Sequence, residues 1–111
     1  MFDVRSPSEY NHAHIPGAKL LPIFSDDERK IVGTLYKQES REKAIKIGLE
    51  FFGKKTVQLL ENADSILLQN TIETKEITIY CWRGGMRSSA MAWLFDLYGY
   101  KVNLIILKFE I

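Results

Sequence analysis

Ile77-Thr78-Ile79-Tyr80-Cys81-Trp82-Arg83-Gly84-Gly85-Met86-Arg87-Ser88-Ser89 runs from a β-branched, aromatic stretch, through a pair of glycines, into a segment with helical spacing. Its first four residues predict a strand. From Ser88 to Tyr98 the residues Ala90, Met91, Leu94, Leu97 and Tyr98 fall on one helical face, and Gly99 stands where a helix-ending glycine belongs. Val102 to Leu107 is almost continuously apolar, as expected of a strand with both faces covered. Strand, loop, helix and strand in that order make a parallel unit, so the fold class is α/β, a mostly parallel sheet flanked by helices.

The upstream sequence extends this pattern. Phe2 to Arg5 reads as a strand end, and Ser6-Pro7-Ser8-Glu9 as a helix start, with a Ser cap, Pro at the first helical position and Glu three residues after the Ser. His14-Ile15-Pro16-Gly17 is a turn and Ala18 to Pro22 a short strand. Residues 25 to 31 predict a capped helical turn. A long helix is expected from about Ser40 to Glu61, with Gly53 as a possible break and residues 63 to 68 as a possible extension; Asn70 to Lys75 reads as a loop. There is room for one domain, residues 1–111, and one core.

Composition sets limits on function. No apolar run approaches the ~20 residues of a membrane span, and the start lacks the basic-then-apolar pattern of a secretory signal, so a cytoplasmic protein is expected. The net charge of +1 argues against nucleic-acid binding by bulk charge, leaving a local basic patch open. The single cysteine excludes an intrachain disulfide, and His12 and His14 offer too few ligands for a metal, so none is expected.

The chemistry expected of the chain lies in the loop. In open α/β sheets ligands sit beyond the carboxyl ends of strands, where Cys81 falls. Gly84 and Gly85 permit a backbone curl in which successive N–H groups face inward, and the following helix adds a positive terminus. Those donors, with Arg83 and Arg87, favour a thiolate and would cradle a tetrahedral anion; Trp82, Met86 and Ser88 complete the expected anion- and substrate-binding stretch. The alternative is a structural cysteine at the end of a core strand. Cys-x5-Arg spacing by itself fits phosphatases, arsenate reductases and sulfurtransferases alike.

Asp3-Val4-Arg5-Ser6-Pro7-Ser8-Glu9-Tyr10 followed by His14-Ile15-Pro16-Gly17-Ala18 resembles the opening of rhodanese domains. Glu28 to Gln38, with its Gly33-Thr34-Leu35-Tyr36-Lys37-Gln38 string, and the octet Cys81 to Ser88 resemble more narrowly the rhodanese half of the tRNA 2-selenouridine synthase family. That resemblance implies replacement of the sulfur of wobble 2-thiouridine in tRNA by selenium from selenophosphate, with Cys81 as the essential residue and no cofactor bound by this domain. It also implies a second, P-loop domain that handles tRNA and geranyl diphosphate. No Gly-x4-Gly-Lys-[Ser/Thr] occurs here, so the chain is expected to be a truncated piece or one half of a split enzyme, dependent on a P-loop partner. Thiosulfate or persulfide sulfurtransfer is an alternative. So are a Cys-x5-Arg phosphatase or arsenate reductase, disfavoured by Tyr80 where those carry His, and a non-catalytic docking module.

Four further residues are possible contacts to substrate or partner. Arg5 is expected either to point toward the loop or to pair with Glu9. Tyr36, Lys37 and Gln38 are expected as a polar segment ahead of the long helix. His14 is expected to satisfy backbone groups near its turn.

Overall fold

The computed structural model describes residues 1–69, 75–82 and 85–107. In chain order the elements are β1 (Phe2–Asp3), α1 (Pro7–His12), β2 (Lys19–Leu20), α2 (Asp26–Gln38), α3 (Arg41–Gln69), β3 (Glu76–Trp82), α4 (Met86–Tyr98) and β4 (Lys101–Leu107). The described strands form one sheet in the order β2-β1-β3-β4, parallel throughout. Phe2 pairs with Ile79 and Asp3 with Tyr80, while Ile77, Ile79 and Cys81 lie opposite Val102, Leu104 and Ile106. The α/β class read from the sequence is therefore the architecture found.

Alternation along the strands sends Phe2, Val4, Ile77, Ile79 and Cys81 into one buried cluster with Phe52, Leu59, Ala63 and Leu67 of α3 and Met91, Leu94 and Phe95 of α4. α2 packs along α3. A Cβ at Gly48 would meet the Phe24 ring at 3.3 Å, so a glycine lets α3 come this close. Glu28 of α2 and Lys55 of α3 form an ion pair across the same contact.

Helix boundaries follow local chemistry. Ser25 caps α2 reciprocally, Glu28 N donating to Ser25 Oγ at 3.2 Å and Ser25 N to Glu28 Oε1 at 2.9 Å. α4 ends in a Schellman motif, with Tyr100 N on Phe95 O at 2.9 Å, Gly99 N on Asp96 O at 3.0 Å, and Gly99 left-handed at φ 109°.

Several expectations are corrected. The helical turn expected at 25 to 31 is the first half of a helix reaching Gln38. α3 runs unbroken through Gly53, a position with open space around it, and continues to Gln69. The strand expected at 18 to 22 is only Lys19–Leu20. On α4, Ser88 and Phe95 are buried whereas Leu97 and Tyr98 are exposed. β4 is an edge strand, and Leu104 and Ile105, which alternate to opposite faces, are both exposed. Its apolar run is therefore not covered on both faces by the described residues. Residues 70 to 74 of the expected loop lie outside the described residues.

Candidate active site

β3 lies between β1 and β4, and its carboxyl end delivers Cys81 beside the start of α4. Gly85 precedes that helix at φ 73°, in the left-handed region where a side chain is disfavoured. Its carbonyl receives Ser89 N at 2.8 Å and Ser88 Oγ at 3.2 Å.

Cys81 has no exposed surface and belongs to the core cluster. The anion cradle expected around the sulfur implies access to it, so this burial is a difference: a reactant reaches Sγ only after the atoms covering it move. Among the described residues, one polar atom lies within hydrogen-bond distance of the sulfur. Ser88 Oγ, also fully buried, stands 2.9 Å away. A serine hydroxyl carries one hydrogen. While that hydrogen lies on Gly85 O, the sulfur must be the donor and Cys81 is a thiol. When the thiol proton leaves, the same hydroxyl can turn to the sulfur. Ser88 thus offers a hydrogen bond to either protonation state.

Arg87 is not turned to open solvent. Its Nη1 donates to Glu9 Oε1 at 2.7 Å and its Nη2 to Glu9 Oε2 at 3.3 Å. Arg29 Nε reaches Glu9 Oε1 at 3.0 Å, and Ser6 N and Oγ donate to it at 3.2 and 2.9 Å. Burial is the largest influence on the Glu9 carboxyl and raises its pKa. The Arg87 hydrogen bonds and charge, with the Ser6 donors, outweigh it and bring the value down to about 2.

Arg5 pairs with Asp3 instead of Glu9. Its Nη2 lies 2.7 Å from Asp3 Oδ2, its Nε 3.0 and 3.1 Å from the two oxygens, and its Nη2 donates to Ala13 O at 2.5 Å. The hydrogen bond to Asp3 holds the Arg5 pKa above its ordinary value. The guanidinium sits 5.9 Å from the Tyr80 ring centroid. Tyr80 accepts Ile15 N at 3.0 Å, and its hydroxyl is pushed up to about 12, by burial first and then by the nearby Asp3 carboxylate. Arg5 therefore ties β1 to the end of α1. His14 stacks on Tyr10 and its Nδ1 lies 2.8 Å from Tyr10 O, the backbone role expected of it.

Tyr36, Lys37 and Gln38 form the exposed last turn of α2, where a non-helical segment was expected. No hydrogen bond or ion pair among the described residues joins them to Cys81. Arg41, just beyond them, does reach Met86 Sδ at 3.8 Å, bringing the α2–α3 turn next to the start of α4. The Trp82 side chain, Arg83 and Gly84 lie outside the described residues. The structure thus brings together Cys81, Gly85 and Ser88, and beside them Arg87. Glu9 and Arg41 are additions; the capping pattern marked Glu9, but only as a helix-start residue. No group of three or more His, Cys, Asp or Glu among the described residues could hold a metal ion, and no described helix is long and apolar enough to cross a membrane.

A parallel sheet with a cysteine at the carboxyl end of an inner strand, turning through glycine into a helix, defines an α/β domain of the kind shared by sulfurtransferases and thiolate phosphatases. The chain belongs to the rhodanese-like domain family, whose model matches residues 1–108. It is 40% identical over 97 residues to the tRNA 2-selenouridine synthase of Nitrosomonas europaea, covering 86% of this chain and 24% of that protein. The enzymes of the same name from Bdellovibrio bacteriovorus and Serratia proteamaculans are 40% and 37% identical over 95 residues, covering 85% of this chain and 24% and 25% of theirs. The chain thus spans about a quarter of the length of these relatives. A crystal structure of the N-terminal domain of a protein described as ATP/GTP binding, from Clostridium difficile 630, superposes with TM-score 0.81 at 33% identity, covering 95% of this chain and 78% of that one.

Proposed function

We propose that this domain is the rhodanese part of a tRNA 2-selenouridine synthase, acting in the cytoplasm, with Cys81 as its reactive residue. Selenophosphate is the selenium donor and wobble 2-thiouridine in tRNA the acceptor. The observation that carries the chemical part is the 2.9 Å contact between Cys81 Sγ and Ser88 Oγ at the carboxyl end of β3. The choice of selenium and tRNA is supported by the names of the relatives that match most of this chain.

In this reading the loop amides and Arg83 and Arg87 hold the donor's phosphate group, and Ser88 follows the sulfur through its change of protonation. The additional length of the relatives leaves ample room for the P-loop domain that the family resemblance implies. We assign tRNA and geranyl diphosphate handling to that partner. The chain by itself is therefore expected to bind the phosphate-bearing donor without completing tRNA modification.

The test combines the chain with a P-loop partner, thiolated tRNA and selenophosphate, and measures selenium in the tRNA by mass spectrometry of nucleosides. Incorporation that disappears in Cys81→Ala and falls about a hundredfold to a thousandfold in Ser88→Ala is expected, the latter being the range for a group that assists proton transfer or stabilises charge. Undiminished incorporation with Cys81→Ala overturns the proposal. Phosphomonoester hydrolysis that depends on Cys81 would favour a phosphatase instead.

A further inference from the structure

Glu9 performs more than a helix start requires. A capping carboxylate needs only to accept from the cap residue, and Ser6 N and Oγ already satisfy that role. Yet Oε1 also accepts from Arg29 Nε and Arg87 Nη1, and Oε2 from Arg87 Nη2. Three segments of the chain, the starts of α1 and α4 and the first turns of α2, converge on one carboxylate beside the cysteine loop.

The Arg87 contact is forked, one terminal nitrogen to each oxygen. This is the geometry with which arginine recognises a carboxylate or phosphate. It is also the geometry the proposed function assigns to the donor's anionic group. Arg87 has donors left over, since a guanidinium carries five N–H groups. Its charge, however, is already opposed at hydrogen-bond distance, so an incoming anion meets a dipole instead of a free cation. Ionised and held by five hydrogen bonds, Glu9 is a fixed occupant.

We infer that Glu9 is a resident counter-anion for Arg87, lowering the affinity for phosphate-type anions of the site that Cys81, Arg87 and Ser88 form. The inference rests on reading those residues as the anion site. It gives the site a useful property: a loop that takes up a phosphate-bearing donor must also let go of phosphate, and a fully available Arg87 would retain it. Glu9 touches neither Cys81 nor the reacting atoms, so its role is to set the charge that the substrate meets.

Inorganic phosphate is a sufficient probe, and Cys81, the single cysteine, makes labelling site-specific. Alkylation of Cys81 by iodoacetamide needs the covering atoms to move, so it is followed as a rate by intact mass, and the slowing of that rate by phosphate gives an apparent Kd. Glu9→Gln keeps the shape and an acceptor for Ser6 but removes the charge. It should bind phosphate about tenfold tighter, the scale of one charge-assisted hydrogen bond made available. That gain should vanish when Arg87→Gln is added. Glu9→Asp, one methylene too short for both Ser6 and the forked contact, should tighten binding by a smaller factor, and supplies the comparison if Glu9→Gln fails to fold. Equal or weaker binding in the variants, with phosphate still protecting the parent protein, overturns the inference and leaves the loop reading intact. No protection in any of the proteins overturns both.

Discussion

Asp3–Arg5 and Glu9–Arg87 are both forked carboxylate–guanidinium pairs near the carboxyl end of the sheet, and they differ in almost everything else. The first joins residues two apart on one strand end, with side chains 4% and 0% exposed. The second joins residues 78 apart, on two helix starts, with side chains 18% and 19% exposed. The dry pair fixes backbone: Arg5 also donates to Ala13 O and lies by Tyr80, so β1, α1 and β3 are held in one arrangement. The wetter pair includes the residue that precedes Ser88, whose hydroxyl meets Cys81, and it keeps contact with solvent. Burial and sequence separation together distinguish a structural clasp from a site component.

The largest effect expected from breaking this contrast is in the dry pair. Arg5→Ala leaves the Asp3 carboxylate buried without its guanidinium, which costs about 3–5 kcal/mol for a buried pair broken on one side. Urea unfolding of the variant should show that loss as a lower midpoint with little change in slope. A loss below about 1 kcal/mol would mean that water reaches Asp3 and that the two pairs are alike.

These two pairs also mark how far the sequence could be read. Asp3 and Arg5 stand two apart where the sequence reads as a strand end, so their pairing was compatible with the spacing, although Arg5 was expected either to point toward the loop or to pair with Glu9. The Ser6–Glu9 cap and the Gly99 helix end were legible because each is written in a few adjacent residues. Arg87 meeting Glu9 was not, because nothing local connects positions 78 apart. The second half of α2 was missed because Val32-Gly33-Thr34 has poor helix propensity, and packing on α3 outweighs it. Gly53 did not break α3 because an exposed helical glycine costs only about 1 kcal/mol, less than the packing of Phe52 and Leu59 on either side supplies. Coverage of β4 was misjudged because an apolar run reports hydrophobicity, whereas the strand's place at the edge is a matter of topology.

A middle-sized effect is expected from acid. Glu9 has a folded pKa of about 2 against an ordinary value of 4.5, so between these values the unfolded chain binds more protons and stability falls as pH falls. The contribution is fully present above about pH 4.5 and is lost as pH drops toward 2. With solvent screening allowed for, it is of order 1 kcal/mol. Glu28, lowered as well despite its desolvation because Lys55 and Ser25 bond to it, acts in the same direction, so the comparison must be made between proteins. Unfolding midpoints of the parent and Glu9→Gln should converge as pH is lowered from 6 to 3. A constant gap would show that the Glu9 charge contributes nothing.

The smallest effect belongs to the outermost member of the same cluster. Arg29 bonds the same oxygen as Arg87, but its side chain is 46% exposed. Exposed pairs of this kind contribute roughly 0.2–1 kcal/mol, because water screens the charge and ordering a long side chain costs entropy. Arg29→Gln should therefore shift the unfolding midpoint by less than about 0.5 kcal/mol, and raising the salt should erase even that. If exposure orders these contacts, the three arginines rank Arg5, Arg87, Arg29 in their effect on stability. For the anion site the order is different: Arg87 should matter most to phosphate protection of Cys81 and Arg5 least. An Arg29→Gln variant that destabilised the fold as much as Arg5→Ala would break this ranking, and with it the distinction between the clasp and the site.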